Sequence, residues 1–257
     1  MTKARTYPRR GLHGAVVHEI GVRILRGELE PGDPVPSEDE LGVALGTDLA
    51  VSRTVVREAV KVLAAKRLVE TRPKRGTWVR PRGEWNLLDP DVLAWQLEAG
   101  TNRRFLDELL ELRRMIEPQA ARVAALRATE DEIEELAEAT RLMAEVGEDP
   151  GAFLEPDLRF HALLLQATHN ELLEHMASIL ASVLRILFTY SGRPQGAFTR
   201  AAALHAAVVE AIRDHDPDAA ERALLELSDD TTANIDWAVE HASREGPGHA
   251  TSTRPLG

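Results

Sequence analysis

The chain holds one pair of β-prone runs, Leu68-Val69-Glu70-Thr71 and Thr77-Trp78-Val79, joined by Arg72-Pro73-Lys74-Arg75-Gly76. The other periodic segments repeat their apolar residues at helical spacing. Such a chain can make a hairpin but must bury its core between helices. The helices before the hairpin are short and well punctuated. Leu12, Val16, Ile20, Ile24 and Leu25 set a first helix within 10–27, and Glu30-Pro31-Gly32-Asp33-Pro34 breaks it. Ser37 with Glu40 three residues on forms a capping box for a second helix that runs to about Leu45 and stops at Gly46. Ser52 caps a third, lined by Val55, Val56, Ala59, Val60 and Leu63 and ending near Lys66. Three helices and a basic-tipped hairpin predict a winged helix-turn-helix over residues 1–80, with 1–9 as a loose basic arm.

Residues 81–97 read as a linker. Beyond them the pattern predicts helices over 90–98, 103–127, 130–146, 151–168, 171–190, 198–214 and 217–242. Gly100, Gly147, Pro150, Gly151, Gly192, Pro194, Gly196 and Pro217 fall between most of them. The expected fold class is mainly α: the winged domain, then an all-α bundle at 98–242. Residues 243–257 read as a disordered tail.

Charge divides at the same place. Residues 1–82 hold 16 of the 31 Lys+Arg and 10 of the 42 Asp+Glu, a net of +6; the remainder, with 15 and 32, is −17. A basic first third on an acidic body points to a polyanionic partner for the first third. Cysteine is absent, which excludes thiolate zinc fingers, disulfide frameworks and thiol nucleophiles and fits a reducing cytoplasm. No apolar run is expected to approach the roughly 18 residues of a membrane span, and no signal-peptide core is expected after the basic N-terminus. Nucleophile motifs, phosphate loops and dinucleotide fingerprints are also missing.

The third helix opens with Ser52, Arg53, Thr54 and Arg57. A recognition helix enters the major groove by this end. Arg53 and Arg57 share a face, where they could read guanine or clamp phosphate, while Ser52 and Thr54 suit phosphate. Lys74, Arg75 and Gly76 at the hairpin tip suit the adjacent minor groove or backbone. In the bundle, DLRFH at 157–161 puts Asp157 and His161 on one helical face. Taken alone, that face suits a metal site, an acid–base pair, or a plain charge pair with a satisfied core histidine.

GELEPGDPVPSEDELGVALG with VSRTVVREAVKVLAAKRLVETRPKRGTWV resembles the DNA-binding domain of the GntR family of transcription regulators. The helical remainder resembles the FCD effector domain of the FadR subfamily, on ELRRMIEP (111–118), DLRFHALLLQATHN (157–170) and LHAAVVEAIRDHDPDAAERAL (204–224). The segment RGEWNLLDPDVLAWQL (82–97) resembles the sugar-acid branch, in particular galactonate-responsive repressors. The resemblance implies a homodimer on a palindromic double-stranded operator, released by a small carboxylate effector such as galactonate. It sets aside an enzyme and a ligand-free architectural DNA binder as competing classes.

The resemblance also implies a divalent metal held by an Asp and His four residues apart and two later histidines. Asp157, His161 and His205 match three positions; the fourth falls on Leu227. Two imidazoles and a carboxylate suit Zn²⁺, Ni²⁺, Mn²⁺ or Fe²⁺, and the same trio could instead bind the effector directly. A sugar acid further needs a carboxylate partner, for which Arg113 is expected as a fork and Arg185 as an alternative. Thr231 and Asn234, on the face of Leu227, supply polar groups for hydroxyls, and Glu111 and Glu117 would orient the arginines. Trp85 and Trp95, within the linker, are expected to pack between the bundle and the winged domain. Two departures stand out: Asp39 replaces the family's usual arginine, and Thr47-Asp48-Leu49-Ala50 reads as an insertion that lengthens the helix-turn-helix turn.

Overall fold

The computed structural model describes residues 11–46, 51–192 and 194–244, which divide into two compact units, Met1–Phe105 and Leu106–Gly257. The expected basic arm, the insertion Thr47–Ala50 and most of the expected tail lie outside the described residues.

The first unit contains α1 (Gly11–Arg26), α2 (Glu38–Ala44), α3 (Arg53–Ala65), β1 (Val69–Arg72), β2 (Gly76–Val79) and α4 (Pro90–Ala99). The capping box at Ser37 and Glu40 forms, and Ser52 caps α3. The hairpin is antiparallel, with Val69 opposite Val79 and Arg72 opposite Gly76. The outer edge of β2 is also satisfied: the N–H of Gly32 donates to Val79, that of Val35 to Thr77, and that of Val79 to Asp33. The breaker segment after α1 therefore covers an edge that would otherwise be open.

The 81–97 segment differs from expectation: it is folded into the first unit. A 3₁₀ turn spans Arg82–Glu84, and α4 packs on α1. Trp85 and Trp95 are buried in the same core as Val16, Ile20 and Leu63, and Trp85 donates its indole N–H to the Arg80 carbonyl at 2.7 Å. Apolar area explains the outcome: two indoles each cover roughly 150–250 Å² when buried, a driving force that a solvated linker would forgo. Lys66, at the end of α3, reaches Asp89 at 2.8 Å and Asp91 at 2.5 Å and ties down the start of α4.

The second unit is built from α5 (Arg103–Arg127), α6 (Glu130–Val146), α7 (Pro150–Gln166), α8 (Glu171–Tyr190), α9 (Ala197–Arg213) and α10 (Pro217–Arg244). The main core joins α5, α6, α7, α9 and α10 around Phe153, Phe160, Leu136 and Met143; a smaller one joins α5, α7 and α8 around Leu158, Leu165, Leu180 and Leu184. Helices α5 and α7 continue through Pro118 and Pro156. Each proline removes one intrahelical N–H donor, one residue from Glu117 and Asp157 respectively.

Helix α8 corrects one expectation. By length and composition it could cross a membrane, with a mean hydropathy of 1.5 over its most apolar window. In this fold Leu180, Val183, Leu184, Ile186 and Leu187 are buried, and the helix packs on α7.

Candidate functional site

The first unit presents the expected nucleic-acid-facing groups on its surface. The Ser52 side chain accepts from the Val55 N–H and so starts α3. Arg53, Thr54 and Arg57 are exposed on the opening turns of α3. The Arg53 side chain is 94% exposed, with Nε 3.6 Å from a Glu38 carboxylate oxygen. At the hairpin tip, Lys74 (φ +62°) and Gly76 (φ +93°) take left-handed conformations that tighten the turn, and Lys74 and Arg75 project into solvent. The Arg75 carbonyl is held by the Trp78 indole N–H at 3.0 Å. A helix N-terminus and a fixed basic turn are the parts a winged domain uses on duplex DNA. Asp39 is exposed in the first turn of α2, where its charge opposes a phosphate contact.

The second unit holds a partly enclosed cavity whose lining includes Arg113, Asp157, His161, His205, Leu227 and Asn234. Helix α7 supplies Asp157 and His161, one turn apart, and α9 supplies His205. Their ligating atoms lie close together: His205 Nε2 to Asp157 Oδ1 3.2 Å, His205 Nε2 to His161 Nε2 3.4 Å, and His161 Nε2 to Asp157 Oδ1 3.9 Å. Among the described residues, this trio is a group able to hold a metal ion.

Hydrogen bonding decides what those atoms offer. His205 Nδ1 is 2.7 Å from the Ala201 carbonyl. A carbonyl only accepts, so Nδ1 carries the hydrogen and, in the neutral ring, Nε2 carries a lone pair. That lone pair faces a carboxylate oxygen and a second imidazole, an arrangement that repels unless a cation or proton comes between. Metal–ligand bonds of about 2.1 Å would place ligand atoms roughly 3.0–3.4 Å apart. The three separations are near that range, so the residues present fit a divalent cation with three protein ligands. Leu227 lines the cavity at the position where a fourth imidazole was sought.

Electrostatics agree. Burial pushes the His161 imidazolium down to about 4, against the pull of Glu117 and Asp157, so the ring is neutral at pH 7. Burial alone would raise the Asp157 carboxyl. With a proton between His205 Nε2 and Oδ1, as in acid, that hydrogen bond and the positive charges of the protonated His161 and His205 rings and of Arg113 outweigh the effect and hold the carboxyl at about 2. Burial also works against the Arg113 guanidinium, but Glu117 and then Asp157 keep it charged and raise its pKa.

Arg113 reaches the cavity, but its fork is already engaged. Nε and Nη2 each donate to Glu117 at 3.0 Å, leaving Nη1 toward the Thr231 hydroxyl at 3.5 Å. Asn234 lines the cavity and donates to Asp230 at 2.9 Å. Arg185 does not join them. It is exposed and bonds Glu155 at 2.9 Å. Leu184, Leu187 and Phe188 of α8, with Ser191 just past its end, line the cavity; a helix step of about 100° turns residue 185 off that face. Asp230 was not anticipated. It lines the cavity and pairs with Arg200. The spacing of Leu227, Asp230, Thr231 and Asn234 is one helical face and could have revealed it, but its position in an acidic surface-like run hid it.

Comparison with known proteins adds independent findings. Residues 12–79 match the bacterial regulatory proteins, gntR family, and residues 108–230 match the FCD domain. The chain is 36% identical over 222 residues to the galactonate operon transcriptional repressor of Escherichia coli K12, covering 86% of this chain and 95% of that protein. It is 30% identical to the transcriptional repressor NanR of an E. coli strain, over 86% and 83% of the two chains. A solved Listeria monocytogenes structure described as "Lar controls the expression of the Listeria monocytogenes agr system and mediates virulence" superposes with a TM-score of 0.60 at 16% identity, over 90% of this chain and 99% of that one, and supports the fold.

Proposed function

The chain belongs to the GntR family of bacterial regulatory proteins and carries an FCD domain, and from that premise we propose that it represses genes of sugar-acid metabolism and is released from its operator by a hydroxylated carboxylate. As a family member it is a DNA-binding transcription regulator and not an enzyme. The observation that carries the ligand class is the polar cavity lining, Arg113, Asp157, His161, His205, Thr231 and Asn234, all but Thr231 buried, inside a bundle whose core is mainly apolar. Polar groups are costly to bury unless they find partners, and an acid bearing several hydroxyls is the kind of guest that adds partners for them. The similarity to a galactonate operon repressor favours an aldonate.

In this reading Arg113 Nη1 takes one oxygen of the effector carboxylate, and Thr231 and Asn234 meet its hydroxyls. Asp157, His161 and His205 would hold a divalent cation such as Zn²⁺, Ni²⁺ or Mn²⁺. Such a cation supplies positive charge for the carboxylate and a neighbouring hydroxyl. On DNA, Arg53, Arg57, Ser52 and Thr54 enter the major groove while Lys74, Arg75 and Gly76 lie along the adjacent groove or backbone. A homodimer in the cytoplasm, pairing two half-sites, completes the assembly.

An effector shifts DNA affinity only by binding the two states unequally. Calorimetry with galactonate, gluconate and related acids, with and without operator, tests the mechanism. Tighter binding to DNA-free protein is expected. Equal affinity in both states for an acid that binds removes induction, and no binding by any sugar acid removes the ligand class.

A further inference from the structure

Among the described residues of the second unit, Glu117 is the acid with 0% exposure. Its two oxygens accept from Arg113 Nε and Nη2, at 3.0 Å each. The oxygen that takes Nη2, Oε2, also lies 3.4 Å from His161 Nδ1. That ring nitrogen is buried and forms no hydrogen bond in this geometry. The ring is pinned on another side by Phe160, edge-on with centroids 5.3 Å apart. Thus one carboxylate stands between the guanidinium that reaches the cavity and the histidine that faces Asp157 and His205.

We propose that Glu117 is a positioning residue for His161: it fixes the Nδ1–H tautomer, so that the Nε2 lone pair joins those of His205 and Asp157, and it ties this imidazole to Arg113. A buried carboxylate attracts an N–H and repels a lone pair. Facing Glu117, Nδ1 therefore carries the hydrogen, and a small rotation of the ring closes the 3.4 Å gap. His205 is fixed the same way by the Ala201 carbonyl. Both rings then offer Nε2 to one point, each backed by an acceptor at Nδ1. That is the arrangement by which outer groups orient imidazole ligands and raise their basicity. Glu117 also limits Arg113. With Nε and Nη2 engaged, the arginine offers the cavity its Nη1 edge and not a fork. A ligand carboxylate then binds Arg113 through one oxygen and leaves the other toward the histidines. The inference deepens the cation-and-effector reading above and rests on it for its metal arm only.

The tautomer can be read directly in the full-length, chelator-treated protein. Two-bond ¹H–¹⁵N correlation of the histidine rings, with His161 assigned by loss of its signals in His161→Gln, should show Nδ1 protonated and Nε2 unprotonated at neutral pH. An Nε2–H tautomer at His161 would overturn the proposal. In the second arm Co²⁺ is titrated by its absorption bands. Glu117→Gln keeps every ligand yet should weaken Co²⁺ binding about 10–100-fold, with operator affinity in gel shift unchanged when ligand and metal are absent. Unchanged Co²⁺ affinity would overturn the positioning role. If Glu117→Gln fails to fold, the wild-type tautomer still decides. Failure of wild-type protein to bind any Co²⁺ counts against the metal reading, whereas the metal-free tautomer judges Glu117 by itself.

Discussion

His205 Nε2 lies 3.2 Å from Asp157 Oδ1 while the other nitrogen of the ring is held by the Ala201 carbonyl. Two acceptor atoms are thus brought face to face from different helices, α7 and α9. The facing lone pairs favour positive charge between them, and on α10, another helix that lines the cavity, Leu227 stands where the family resemblance places a fourth ligand and is 2% exposed.

Leu227→His should therefore add a ligand. We expect affinity for Zn²⁺ to rise at least tenfold, about 1.4 kcal/mol, measured by competition with a chromophoric chelator. No gain would mean that residue 227 does not face the same point as His161 and His205.

Acid should destabilise the second unit before Asp157 titrates. His161 is held near 4 in the fold against an ordinary value of 6.5. Between those values the unfolded chain binds a proton that the folded chain refuses, so stability falls as pH drops from 6.5 toward 4, by about 3 kcal/mol at most. Asp157, held at about 2 against 3.8, adds a further loss below pH 4, as the pH falls through that lower interval. Urea melts of metal-free protein from pH 7 to 4 should show the first slope, and His161→Gln should flatten it.

On the DNA side, Arg53→Ala and Arg57→Ala should each cost about 1–3 kcal/mol of operator affinity if they read bases. Lys74→Ala should weaken binding evenly across sequences and reduce the salt slope by about one. Gel shifts over a salt series distinguish the two behaviours. Unchanged affinity and sequence preference in both arginine variants would take them off the contact surface.

A Cβ built on Gly21 would meet the Trp95 ring at 2.5 Å. Gly21→Ala should therefore displace Trp95 and lower the stability of the first unit by about 1–3 kcal/mol, as overpacking does. Tryptophan fluorescence should shift to the red along with the loss. A neutral effect on both readouts would show that α4 docks on α1 without help from this contact.

The sequence was legible wherever the deciding interactions are local. Caps at Ser37 and Ser52 and the breaks at Gly100, Gly147 and Pro217 depend on residues within a few positions of one another. The expected helices at 103–127, 130–146 and 171–190 therefore match α5, α6 and α8 residue for residue. Asp157 and His161 are an i, i+4 pair and could be placed on one face without any fold. His205 came from the family resemblance, because nothing within its own helix reports a partner 44 residues away.

The chain by itself thus determined its helices, its hairpin and the division of charge between its parts, because hydrogen bonding within a helix and the spacing of apolar side chains are properties of neighbours. Tertiary structure alone decided the rest. It chose Arg113 over Arg185 for the cavity, although both stand among apolar residues, because only packing selects which face of α5 or α8 is turned inward. It drew Trp85 and Trp95 into the first unit's core, because apolar surface is buried against whatever chain is near in space. And it set Glu117 against both Arg113 and His161, because a carboxylate with two buried neighbours can be recognised only when the helices that carry them meet.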